Sequence, residues 1–157
     1  MAARVFVATL LLAAAAHAGA AAGAEPPLRL AIKASRVGNK AAGVAVITNT
    51  GNKPVTVGVV VVDARFMDAA GVTRDDIRQR LRLDACGGRK LPLPLAPGAK
   101  LECAFTSREN SYKGRISLAA GALRPGGDWG DEWLAFGVVA NVAPAAPAGG
   151  GARPAGR

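Results

Sequence analysis

Imidazole is nearly absent from this sequence. His17 is the single histidine among 157 residues, and it falls in a stretch read below as a leader. A chain processed beyond it has no imidazole for general base catalysis, a catalytic triad or zinc ligation. Aromatic residues are also scarce, at four Phe, two Trp and one Tyr. There is no Gly-x-Ser-x-Gly elbow, no glycine-rich loop before a Lys-Ser/Thr pair and no dinucleotide fingerprint. No Asn-x-Ser/Thr sequon occurs, since Asn49-Thr50-Gly51 and Asn110-Ser111-Tyr112 both fail at the third position. Paired-carboxylate chemistry would have to use Asp63, Asp68 or Glu102, and a domain of this size has little room for a deep cleft. These absences predict a protein that is not an enzyme and that carries no cofactor and no metal.

What is present begins with a leader. Arg4 precedes an apolar run from Val5 to Ala16, the length of a signal-peptide core and too short to span a bilayer. Small-x-small sites follow at Ala16-His17-Ala18 and Ala22-Gly23-Ala24, and cleavage is expected after Ala24, so that residues 1–24 are removed. No cysteine follows the run to take a lipid, and no apolar segment closes the chain, so no stable membrane anchor is expected. From Ala143 to Arg157 every residue is Ala, Pro, Gly or Arg. Such a tail has little to bury and is expected to be disordered. Residues 25–142 remain as one domain, with 17 basic side chains against 11 acidic.

Alternation of period two dominates that domain. Leu28, Leu30 and Ile32 alternate with Arg29, Ala31 and Lys33, and Gly43–Thr50 and Val55–Val62 read as the next strands. The turn formers of Thr50–Pro54 predict a hairpin between those two. Val59–Val62 is apolar on both faces, as in a central strand. Thr73-Arg74-Asp75-Asp76 opens a short helix with Thr73 as N-cap, followed by a charge-guarded edge strand at Arg80–Asp84. Later strands are expected at Lys100–Thr106, with Leu101, Cys103 and Phe105 inward, and at Gly114–Ala122, with Ile116, Leu118 and Ala120 inward. The last is Trp133–Val142, with Leu134, Phe136, Val138, Ala140 and Val142 on one face. The expected fold is all-β: an antiparallel sandwich of six to seven strands with a short helical insert.

Thr48-Asn49-Thr50-Gly51-Asn52-Lys53-Pro54-Val55 resembles the T-N-x-G-x-x-P-V hairpin of Ig-like modules in secreted and cell-surface proteins, including cell-adhesion-related repeats. Leu95-Ala96-Pro97-Gly98 through Cys103 is similar to the L-x-P-G-x-x-x-x-C strand start of the same modules. The resemblance implies an Ig-like sandwich and a role in binding or spacing, with no catalytic residues to carry over.

Four groups of residues are candidates for function. Cys86 and Cys103 form one even pair, expected to be a disulfide in an exported protein and worth roughly 3 kcal/mol in the chain-entropy picture. Arg74, Arg78, Arg80, Arg82, Arg89 and Lys90 gather in one stretch, interrupted by Asp75, Asp76 and Asp84. They read either as a patch for an anionic partner or as a solvated face. Tyr112 and Trp129 are candidates for stacking on a sugar ring, or are core filling. Asp128, Asp131 and Glu132 crowd one loop without the alternating spacing of a calcium site.

The expected function is a secreted, non-catalytic binding or structural module at a cell surface or in an extracellular matrix, acting through loops or a strand edge. The alternatives are a carbohydrate-binding module, or an accessory or inhibitor of an extracellular enzyme offering Leu91-Pro92-Leu93-Pro94-Leu95. The expected partner is an extracellular protein or polysaccharide. No nucleic acid is expected as a partner, because an exported protein seldom meets it and the basic stretch has no aromatics interleaved with it.

Overall fold

The computed structural model describes residues 27–109 and 114–146. Within them the chain is all-β and antiparallel. Strands β1 (Leu28–Val37) and β2 (Lys40–Asn49) come first, then β3 (Val55–Val57) and β4 (Val59–Met67). β5 (Gln79–Leu83), β6 (Ala85–Cys86), β7 (Arg89–Lys90) and β8 (Leu93–Leu95) occupy the middle. β9 (Lys100–Thr106), β10 (Arg115–Leu123) and β11 (Ala135–Val139) complete the set. A three-stranded sheet has the order β1-β2-β9 and a four-stranded sheet the order β11-β10-β4-β5. The pairs β3-β8 and β6-β7 stand apart as small ribbons.

One apolar core joins the two larger sheets. Ile47 of β2 and Leu101 and Phe105 of β9 meet Val60, Val62 and Phe66 of β4 and Ile116 and Leu118 of β10. Burying each such side chain contributes about 1.5–3 kcal/mol relative to exposure. The inward residues expected from alternation on β1, β9 and β10 all pack against this core. The disulfide Cys86–Cys103 forms, with both residues buried and their Cα atoms 4.3 Å apart, and it ties the β6-β7 ribbon to β9.

Four local expectations need correction. The run Val55–Val62 is two strands, because Gly58 breaks it. The Gly58 N–H donates to the Leu123 carbonyl at 2.7 Å, and a Cβ there would collide with the backbone of Arg124 and Pro125. Second, Thr50–Pro54 is a crossover between sheets and not a hairpin, since β3 pairs with β8 while β2 pairs with β1 and β9. Buried Asn49 sets that crossover. Its amide nitrogen donates to the carbonyls of Lys53 and Leu95, both at 2.8 Å, and its side-chain oxygen accepts from the Gly51 N–H.

The helical insert is a single 3-10 turn, Asp75–Ile77, whose N-cap is Arg74 with no side-chain cap. The edge strand that follows it is β5, as the charge pattern predicted. The last strand has the opposite phase to the one expected. Ala135 faces inward, while Phe136 and Val138 are exposed. Leu134 and Val142 still reach the core from the flanking loops, which is why the sequence alternation misled.

Candidate functional site

The outer face of the four-stranded sheet gathers most of the chemistry. Pairing aligns Phe136, Gly121, Val61 and Arg82 in one row across the four strands. Val138, Ala119, Asp63 and Arg80 form the next row. Ser117 and Arg65 follow, with Arg78 just before β5, and Arg115 lies beside Met67. Alternation puts their neighbours, such as Val62 and Leu118, in the core, so this set faces outward.

Asp63 organises the arginines. Its side chain has no solvent exposure. Arg78 donates to it through Nε (2.8 Å) and a terminal nitrogen (2.7 Å), and Arg65 donates through Nε at 2.8 Å. Burial pushes the Asp63 carboxyl up, but the hydrogen bonds and charges of Arg78 and Arg65 outweigh this and hold it below its ordinary value. Reciprocally, the hydrogen bond to Asp63 raises Arg78. The forked two-point contact fixes the Arg78 guanidinium plane in a way a lysine would not.

A small apolar cluster lies on this face, separate from the main core. Val59, Val61 and Leu123 are buried beneath Trp129 and Trp133. Gly121 makes this possible, since a Cβ at that position would run into the Trp133 ring. Trp129 meets Trp133 edge-on with centroids 4.7 Å apart, and Phe136 lies 5.3 Å from Trp133 and 6.4 Å from Trp129. The Arg80 guanidinium sits 4.9 Å from the centroid of the Trp129 ring, within cation–π range. A cleft of about 600 Å³ adjoins the cluster through Trp133, bordered by Pro27, Pro54, Pro125, Arg124 and Glu132.

The expected basic patch is only partly assembled. Arg78, Arg80 and Arg82 come together on the outer face, and Arg82 also contacts Asp84 at 3.3 Å. Arg74 turns to Asp76 at 2.9 Å, while Arg89 and Lys90 sit on the separate β7 ribbon. Tyr112, the expected stacking companion of Trp129, lies outside the described residues. Two carboxylates of the 128–132 loop serve its own backbone: Asp131 accepts from the Asp128 N–H and Asp128 from the Trp129 N–H, both at 2.7 Å. Among the described residues no group of three or more His, Cys, Asp or Glu is placed to hold a metal ion. Leu91, Leu93 and Leu95 pack against the core rather than forming a free loop.

Arg65, Arg115, Trp133 and Phe136 belong to the site and were not singled out in the sequence. Arg65 and Arg115 carry outward phase on β4 and β10, whereas alternation reads Phe136 inward and Trp133 lies in the loop before β11, so neither aromatic is signalled locally. The fold also removes one of the two reasons for expecting no nucleic acid. The basic stretch has no aromatics of its own, but Trp129, Trp133 and Phe136 are brought beside it from the end of the chain.

No family model and no curated protein matches the chain. Among solved structures it is similar to the Pseudomonas fluorescens alkylpurine DNA glycosylase AlkC bound to DNA containing an abasic site analog. The likeness has a TM-score of 0.39 and 13% identity, and covers 74% of this chain but 30% of that one. That protein is an enzyme and is bound to DNA. Against it, the expectations of a non-catalytic module, of a partner limited to protein or polysaccharide, and of no nucleic acid are corrected and not retained. A likeness at this TM-score is in itself no argument for glycosylase chemistry in this chain.

Proposed function

We propose that the outer face of the four-stranded sheet is a binding surface for a polyanion. The observation that carries this reading is the arginine set Arg65, Arg78 and Arg80, oriented by Asp63 and Trp129, with Arg82 paired to Asp84 on the same strand and an exposed phenyl ring nearby. Immobilised guanidinium groups lose little side-chain entropy on binding, and they match phosphate, sulfate or carboxylate oxygens two at a time. The test is binding of heparin or polyphosphate as a function of salt. An Arg80→Gln/Arg82→Gln variant should bind more weakly, and the slope of log K against log salt should flatten by about 1 for each arginine exchanged. Binding that is unchanged by salt and by the double exchange would refute the reading.

We further propose that the two-sheet arrangement is an Ig-like sandwich and that the protein is exported after cleavage behind Ala24. The buried disulfide supports an oxidising compartment. No helix among the described residues is long and apolar enough to cross a membrane. N-terminal sequencing of the mature protein should begin at Glu25. Recovery of Met1 from exported material would end this part of the reading.

A further inference from the structure

We infer that the polyanion is a single-stranded nucleic acid, with an unpaired base stacked on Phe136 and the backbone phosphates on Arg80 and Arg82. The inference rests on the polyanion reading and specifies its ligand. Phe136 is 45% exposed although it belongs to the aromatic cluster, and its neighbour Val138 is 62% exposed. Trp133 and Trp129 pack beside the phenyl on the same face, so an apolar platform is presented to solvent. Bases stack on such a platform whatever their identity.

Arg82 shares the Phe136 row and Arg80 the Val138 row. Three strand spacings separate phenyl from guanidinium Cα positions, about 14 Å, and Arg80 and Arg82 stand about 7 Å apart along β5. Between them Gly121 and Val61 lie under the Trp133 and Trp129 rings, and the neighbouring rows carry Ala119 and the buried Ser117. A strand laid across the sheet thus meets arginines on one side and a stacking platform on the other. The spacing of the two arginines suits successive phosphates of an extended backbone.

Hydrogen-bond polarity separates this ligand from an acidic polysaccharide. Guanidinium groups donate and never accept. Of the carboxylates beside these rows, Asp63 is engaged by Arg65 and Arg78 and closed to solvent, and the exposed Asp84 is engaged by Arg82 at 3.3 Å. A sugar presents many hydroxyl donors and needs acceptors to receive them, whereas a phosphodiester presents acceptors only. Duplex DNA offers the phosphates but keeps its bases stacked away from Phe136.

The test uses the mature protein and five labelled or competing ligands: oligothymidylate, an abasic oligomer of equal length, duplex DNA, polyphosphate and heparin. Oligothymidylate should bind about tenfold tighter than the abasic oligomer, as expected for one stacked base, and should quench tryptophan fluorescence. Phe136→Ala should remove that advantage while leaving abasic binding within about twofold. Phe136→Leu, which keeps an apolar side chain of similar size, should do the same and guards against a folding artefact. Equal affinity for the abasic oligomer, or tighter binding of duplex or heparin, overturns this inference and leaves the polyanion reading standing. Failure of all five ligands to bind overturns both.

Discussion

A Cys86→Ser variant is expected to lose about 2–5 kcal/mol of stability, the usual cost of removing a native bridge from a small domain. The bond spans a sequence separation of 17 and closes the loop that contains β7 and β8. Without it the unfolded chain regains that loop's freedom, and two polar groups replace a buried apolar bond among Leu95, Leu101 and Phe105. Denaturant titration should show a lower midpoint with little change in slope, and reduction of the wild type should reproduce it. Coincident curves for oxidised and reduced protein would show that the bond adds nothing.

Arg78→Ala should be the most damaging change on the outer face, at about 2 kcal/mol. Removing one partner of a buried ion pair costs about 3–5 kcal/mol, and Arg65 remains to compensate part of it. Arg65→Ala should cost less, since Arg65 makes one of the three bonds and its side chain is 42% exposed. Acid should act through the same group. The folded carboxyl titrates below its unfolded value, so its stabilisation is complete above the unfolded pKa and is lost as pH falls through the folded one. An Asp63→Asn variant should therefore be less stable at neutral pH and lose less on acidification. Parallel acid limbs for variant and wild type would contradict the assignment. Arg78 is thus a structural residue as well as part of the basic face, and for that reason Arg80 and Arg82 are the better probes of binding.

The sequence made some of this legible and hid the rest, for reasons that lie in particular residues. β1 and β9 are readable because each buries one face, so alternation alone reports them, while β10 is buried on both faces and is legible through its Ile116, Leu118 and Ala120 phase. Cys86 and Cys103 were readable as a lone pair. The break at Gly58 was hidden inside a valine run, since its cause is the approach of Arg124 and Pro125 from far along the chain. Phe136 was assigned inward because Leu134 and Val142 share its parity and do reach the core. The outer-face cluster depends on Gly121 of β10 lying beside Val61 of β4, a register no local pattern encodes. Arginines 78, 80 and 82 were visible as a basic group, but the aromatics that turn them into a site come from the other end of the domain.

The pairing of Arg36 with Pro144 has a mechanical consequence. Arg36 N–H donates to the Ala143 carbonyl at 2.7 Å and the Ala145 N–H donates back to Arg36 at 3.0 Å, so the closing segment runs parallel to β1. The chain therefore enters at Leu28 and leaves beside Arg36, about 27 Å away along the strand. Tension applied between the two ends acts along β1 and not across it. The ladder from β1 to β2, ten residue pairs long, would then be sheared as a unit instead of peeling open one bond at a time.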